Sequence, residues 1–70
     1  MKKAIMTKTV DGYKVFADDS DSMEQGFSNL GGEKRDSHWF FWASDAGRGG
    51  EILKEALEYS DYQVTSNALI

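Results

Sequence analysis

The chain has 70 residues and a formal net charge of −4, with 8 Lys and Arg against 12 Asp and Glu, one histidine, and neither cysteine nor proline. A chain this short forms a single domain, residues 1–70, whose core supplies only ~3–5 kcal/mol unless something else holds it. The absence of cysteine excludes disulfides and thiolate metal sites, and one histidine does not make an imidazole zinc site, so no cofactor is expected.

The charge falls in blocks. Lys2, Lys3, Lys8 and Lys14 stand against Asp11 alone, and then Asp18, Asp19, Asp21, Glu24 and Glu33 follow with no cation among residues 15–33. Such blocks give a dipolar surface whose acidic side suits a basic partner. The N-terminus has the charge of a signal peptide but not its long apolar core, and no apolar run approaches membrane-spanning length. The expectation is a soluble, cytoplasmic protein.

In chain order, residues 3–10 alternate well enough for a strand. Asp11-Gly12 favours a two-residue hairpin turn, because both residue types tolerate positive φ. Tyr13-Lys14-Val15-Phe16-Ala17 returns, with Lys14 and Phe16 on the face opposite Tyr13, Val15 and Ala17. Asp18 to Ser22 breaks the sheet, and its aspartate spacing does not fit a calcium loop. Ser22 or Asp21 is placed to cap a short helix in which Met23, Phe27 and Leu30 share a face, ended by Gly31-Gly32.

Glu33-Lys34-Arg35-Asp36 reads as a charged lead-in to the most apolar stretch, Ser37-His38-Trp39-Phe40-Phe41-Trp42-Ala43-Ser44. As an interior strand it sends Trp39, Phe41 and Ala43 one way and His38, Phe40 and Trp42 the other. A loop over residues 45–50 precedes the best helix, residues 51–60, whose stripe is Ile52, Leu53, Ala56 and Leu57. Tyr62-Gln63-Val64-Thr65 suits a last strand, and Ala68-Leu69-Ile70 an apolar terminus that docks or frays. The order β-β-short α-β-α-β predicts an α+β domain, a small antiparallel sheet with one main amphipathic helix on one face.

No motif is specific for a reaction. Arg48, Gly49 and Gly50 ahead of a helix suit anion binding, yet match neither the P-loop nor the dinucleotide fingerprint, and Glu51 puts a negative charge at that helix end. Asp36, Ser37 and His38 are the residue types of a hydrolase triad, but neighbours along a strand point opposite ways and form no relay. The chain is therefore expected not to be an enzyme. It reads as an acidic protein-binding module, an inhibitor or adaptor of the kind mobile elements encode, acting on a protein with a basic surface. Its partner-binding residues are then Asp18, Asp19, Asp21, Glu24, Glu33, Trp39 and Trp42, with the carboxylates placed to imitate DNA phosphates. The alternative is a small nucleic-acid binder that stacks bases on sheet aromatics and holds phosphates with the N-terminal lysines. One helix covers only one face of the aromatic strand, so a symmetric homodimer is expected to cover the other, the alternative being a compact monomer in which residues 23–30 and Ala68-Leu69-Ile70 fold over it.

Overall fold

Strands β1 (Lys2–Lys8) and β2 (Gly12–Ala17) form the expected hairpin in the computed structural model, which describes residues 2–47 and 50–67. The turn sits one residue earlier than Asp11-Gly12. Lys8 pairs with Tyr13, and the Thr9 amide donates to the Gly12 carbonyl at 2.7 Å, leaving Val10 and Asp11 as the turn residues. Neither takes a positive φ. Gly12 meets a different need: a Cβ there would overlap the Phe41 carbonyl oxygen and lie 2.9 Å from the Trp42 Cα. Glycine lets the neighbouring strand approach.

That neighbour is β4 (Trp39–Trp42), which is interior, as its apolarity predicts. The order is β3-β4-β2-β1-β5, where β3 is Glu33–Lys34 and β5 is Tyr62–Asn67. The supposed lead-in thus supplies an edge strand, too short and too charged to show any alternation. β5 runs parallel to β1, from Lys2↔Tyr62 to Thr7↔Asn67, so the sheet is mixed rather than antiparallel throughout. The two antiparallel pairings β1–β2 and β2–β4 set β4 in the same direction as β1, and hence as β5. Strands that run the same way need a crossover, and helix α3 (Glu51–Tyr59) is part of it.

The helices pack on one side of the sheet. Ala4, Met6, Tyr13, Val15, Trp39, Phe41 and Tyr62 form one buried cluster with Phe27 of α1 (Glu24–Asn29), Ala46 of α2 (Ala43–Ala46), and Leu53 and Leu57 of α3. Phe27 stands edge-on to Trp39 and Phe41, with ring centroids 5.4 and 6.0 Å away, and lies 6.2 Å from Tyr62. Met23 and Leu30 flank it, as their spacing predicts. α1 follows a 3-10 turn, Ser20–Met23, and has no side-chain cap; the Ser22 hydroxyl instead bonds the Asp19 carbonyl and carboxylate, both at 2.9 Å. Its C-terminus closes through Gly31 N–H to Ser28 C=O and Gly32 N–H to Phe27 C=O, a paired motif that satisfies two orphan carbonyls.

Ala43 does not extend β4 but opens α2, a four-residue turn with no apolar periodicity to announce it. In α3, Leu53 and Leu57 centre the stripe, Ala56 is half-buried, and Ile52 lies outside it, exposed to water. Ala68, Leu69 and Ile70, the expected docking terminus, lie outside the described residues. No helix among the described residues is long and apolar enough to cross a membrane.

Candidate functional site

Alternation along the strands decides what the other side of the sheet displays. Residues that pair across it fall in rows: Glu33, Phe40, Lys14 and Thr7 in one, Phe16, Ile5 and Thr65 in the next. His38 joins the second row, its ring centroid 5.2 Å from that of Phe16. Trp42 stands edge-on to Phe40 at 5.0 Å. The result is an apolar band from Trp42 through Phe40, His38 and Phe16 to Ile5. Among the described residues no helix packs on this face; the helices' buried side chains all join the cluster on the other side.

The band is graded in exposure. Phe40 is only 8 % exposed because the Arg35 guanidinium lies over its ring at 4.9 Å and Trp42 closes its edge. Phe16, Ile5 and Trp42 are 39, 43 and 44 % exposed. Beside Phe16 an open hollow of about 340 Å³ is lined by Lys3, Ile5, Phe16, Ala17, Asp18 and Ser37. Polar groups of both signs border the band. Glu33 accepts hydrogen bonds from the Trp42 indole at 2.8 Å and from Arg35 at 2.6 Å, and these two donors hold its carboxyl below the usual carboxylate range. Partial burial, with Lys14 and Arg35 nearby, pushes the His38 pKa down, against a smaller upward pull from Asp36.

The five carboxylates expected at a partner surface are all exposed, but they do not form one free row. Asp18 accepts from the Lys3 amide at 3.0 Å, and Asp19 from Ser22. Lys34 lies 3.8 Å from both Asp21 and Glu24. Glu33 belongs to the open face with Arg35 and Trp42. The tryptophans separate as well. Trp42 is on the open face, whereas Trp39 is a core residue at 3 % exposure, since alternation sends it inward with Phe41. Trp39 is thereby withdrawn from any partner surface.

Gly50 is buried, and a Cβ there would sit 2.7 Å from the Met6 Cε and 2.9 Å from the Tyr13 Cζ. Its amide donates to the Gly47 carbonyl at 3.2 Å. Gly50 therefore serves close packing and offers no free donor to an anion; Arg48 and Gly49, the rest of that expected site, lie outside the described residues. Residues 36–38 occupy a bend rather than a strand, and there the Ser37 hydroxyl does reach His38 Nδ1, at 3.3 Å. The strand argument against that contact does not hold, but no carboxylate hydrogen-bonds the ring among the described residues. No cluster of three or more potential metal ligands occurs among them either.

Ile5 and Phe16 are the site residues that sequence reasoning missed, and Lys14 entered it only as part of the positive strip of the nucleic-acid alternative. The signal was present: Lys14 and Phe16 share one face of the hairpin, and His38, Phe40 and Trp42 one face of β4. The register that joins the two sets was not readable. Comparison with protein-family models, curated proteins and solved structures gives no match for this chain.

Proposed function

We propose that the chain is a non-enzymatic protein-binding module, an inhibitor or adaptor working in the cytoplasm, whose working surface is the open face of the sheet. The observation that carries this reading is a band that no described residue outside the sheet's own face covers, in which Trp42, Phe16 and Ile5 stand partly exposed around the shielded Phe40. An apolar centre with tryptophan and phenylalanine anchors, bordered by polar groups of both signs, is the anatomy of a protein interface. The exposed carboxylates Asp18 and Asp19, at the end of β2, flank the band and suit a partner with basic groups at its rim.

The nucleic-acid reading draws on Lys3 and Lys14, which point to the same side. Against it, the Glu33 carboxylate sits at the edge of the Trp42 ring, where it repels the phosphate of any base stacked there. Arg35 is already engaged by Glu33 and Phe40. Imitation of DNA is a weaker form of the protein reading, because Lys34 lies between Asp21 and Glu24 and Arg35 holds Glu33.

The test is recovery of partners from cells of the protein's origin by three tagged chains: wild type, a Phe16→Ser/Trp42→Ser variant, and an Asp18→Asn/Asp19→Asn/Asp21→Asn variant. The expected result is loss of the partner with the first variant and weaker, more salt-sensitive recovery with the second. Undiminished recovery by the folded Phe16/Trp42 variant would remove the open face from the account. A salt-dependent shift of labelled oligonucleotides that is lost on replacing Lys3 and Lys14 would favour the nucleic-acid reading instead.

A further inference from the structure

The two edges of the sheet are built differently. β3 is two residues long and both, Glu33 and Lys34, are charged. Short length and charge are the usual means by which a sheet edge is protected against further pairing. β5 has neither. It runs six residues, Tyr62–Asn67, as Tyr-Gln-Val-Thr-Ser-Asn, with no charged side chain and no proline. Its register with β1 is unbroken over six pairs, so no bulge turns its free edge aside. Among the described residues no strand pairs with that free edge.

We infer that β5 pairs with β5 of a second copy of the chain, antiparallel about a two-fold axis, joining two five-stranded sheets edge to edge. In antiparallel self-pairing the residues next to the two-fold axis face their own copies, so a charge there would meet a like charge. A neutral strand escapes that repulsion, and β5 is neutral over its whole length. The open faces are less suited to meeting each other. Lys3, Lys14, Arg35 and Glu33 all stand on or over that face, and stacking two copies would take these charges out of water. Edge pairing leaves both open faces free and on the same side, with the row of His38, Phe16, Ile5 and Thr65 continuing into its mate. The dimer thus doubles the proposed binding surface, although its own formation does not depend on that reading.

Because the chain has no cysteine, single substitutions report proximity without background. Light scattering on the full chain at high concentration is expected to give the mass of two chains, and Gln63→Lys/Thr65→Lys to reduce it to one while the variant still melts cooperatively, its melt now independent of concentration. Both positions are exposed, so neither change disturbs the core. Mild oxidation is expected to link copies of Thr65→Cys or Gln63→Cys, and not of Phe16→Cys. A wild-type mass of one chain at every concentration overturns the proposal. So does a dimer that survives the lysine pair, or one that links through Phe16→Cys and not through β5.

Discussion

Glu33 and Trp42 are nine residues apart and meet on the open face, where the indole N–H donates to the carboxylate at 2.8 Å. That contact and the Arg35 guanidinium keep the carboxyl ionised to lower pH than its ordinary value of 4.5. A carboxylate whose folded pKa is depressed contributes stability that is present above the ordinary value and lost as pH falls through the folded one. The Trp42 ring should therefore gain freedom in a step below pH 4.5. Indole fluorescence titrated downward should show that step in the wild type and lack it in Glu33→Gln. The same step in the variant would mean that another group governs the ring.

His38 titrates with the same sign for a different reason. Partial burial and the neighbouring Lys14 and Arg35 disfavour its cation, so the folded pKa lies below 6.5. The unfolded chain then binds the proton more readily, and stability is lost as pH falls from 6.5 towards the folded value. Replacing His38 by Gln removes the contribution. Melting temperatures measured above and below pH 6.5 should converge more in His38→Gln than in the wild type. An equal drop in both would place the pH dependence elsewhere.

Phe27 contacts Trp39, Phe41 and Tyr62 and is 1 % exposed, although its helix has only six residues. Phe27→Ala should cost ~3–5 kcal/mol, and Leu53→Ala or Leu57→Ala ~2–5 kcal/mol, comparable with the whole margin of so short a chain. Circular dichroism should show Phe27→Ala largely unfolded at room temperature, while Phe27→Leu keeps a cooperative melt. A near-native melt for the alanine variant would contradict the central place given to α1.

Asp61 joins α3 to β5 with φ at 72°, a left-handed conformation that glycine adopts without strain and other residues do not. It also puts a negative charge near a helix C-terminus, where the dipole disfavours it. Asp61→Gly should raise stability by ~0.5–1 kcal/mol, the relief of left-handed strain less the added freedom of the unfolded chain. In urea the midpoint should move up with the slope unchanged. A lower midpoint would show that the aspartate side chain holds the turn.

The hairpin, the interior aromatic strand and the face of α3 were legible because each is a local pattern: alternation or a helical stripe. The α+β domain follows from their order. What was not legible depends on contacts distant in sequence. Gly12 looks like a turn residue until β4 is known to pass against it. Glu33 and Lys34 carry no strand signal and pair only because β4 offers an edge. The direction of β5 depends on its pairing with β1, at the other end of the chain. For the candidate site, the charge block was read correctly as exposed, but counting charges does not show that Lys34 and Arg35 fold back onto it. Trp39 and Trp42 look alike in sequence, and only the side chosen by the helices separates core from surface.

The central claim, that a partner docks on the open face, is most directly tested by placing a photo-crosslinker on Phe16→Cys and on Tyr59→Cys. Position 59 is 93 % exposed on α3, across the sheet from the band. The account predicts that partner crosslinks form from position 16 and not from position 59. Crosslinks from position 59 alone would put the partner on the helical side and contradict it.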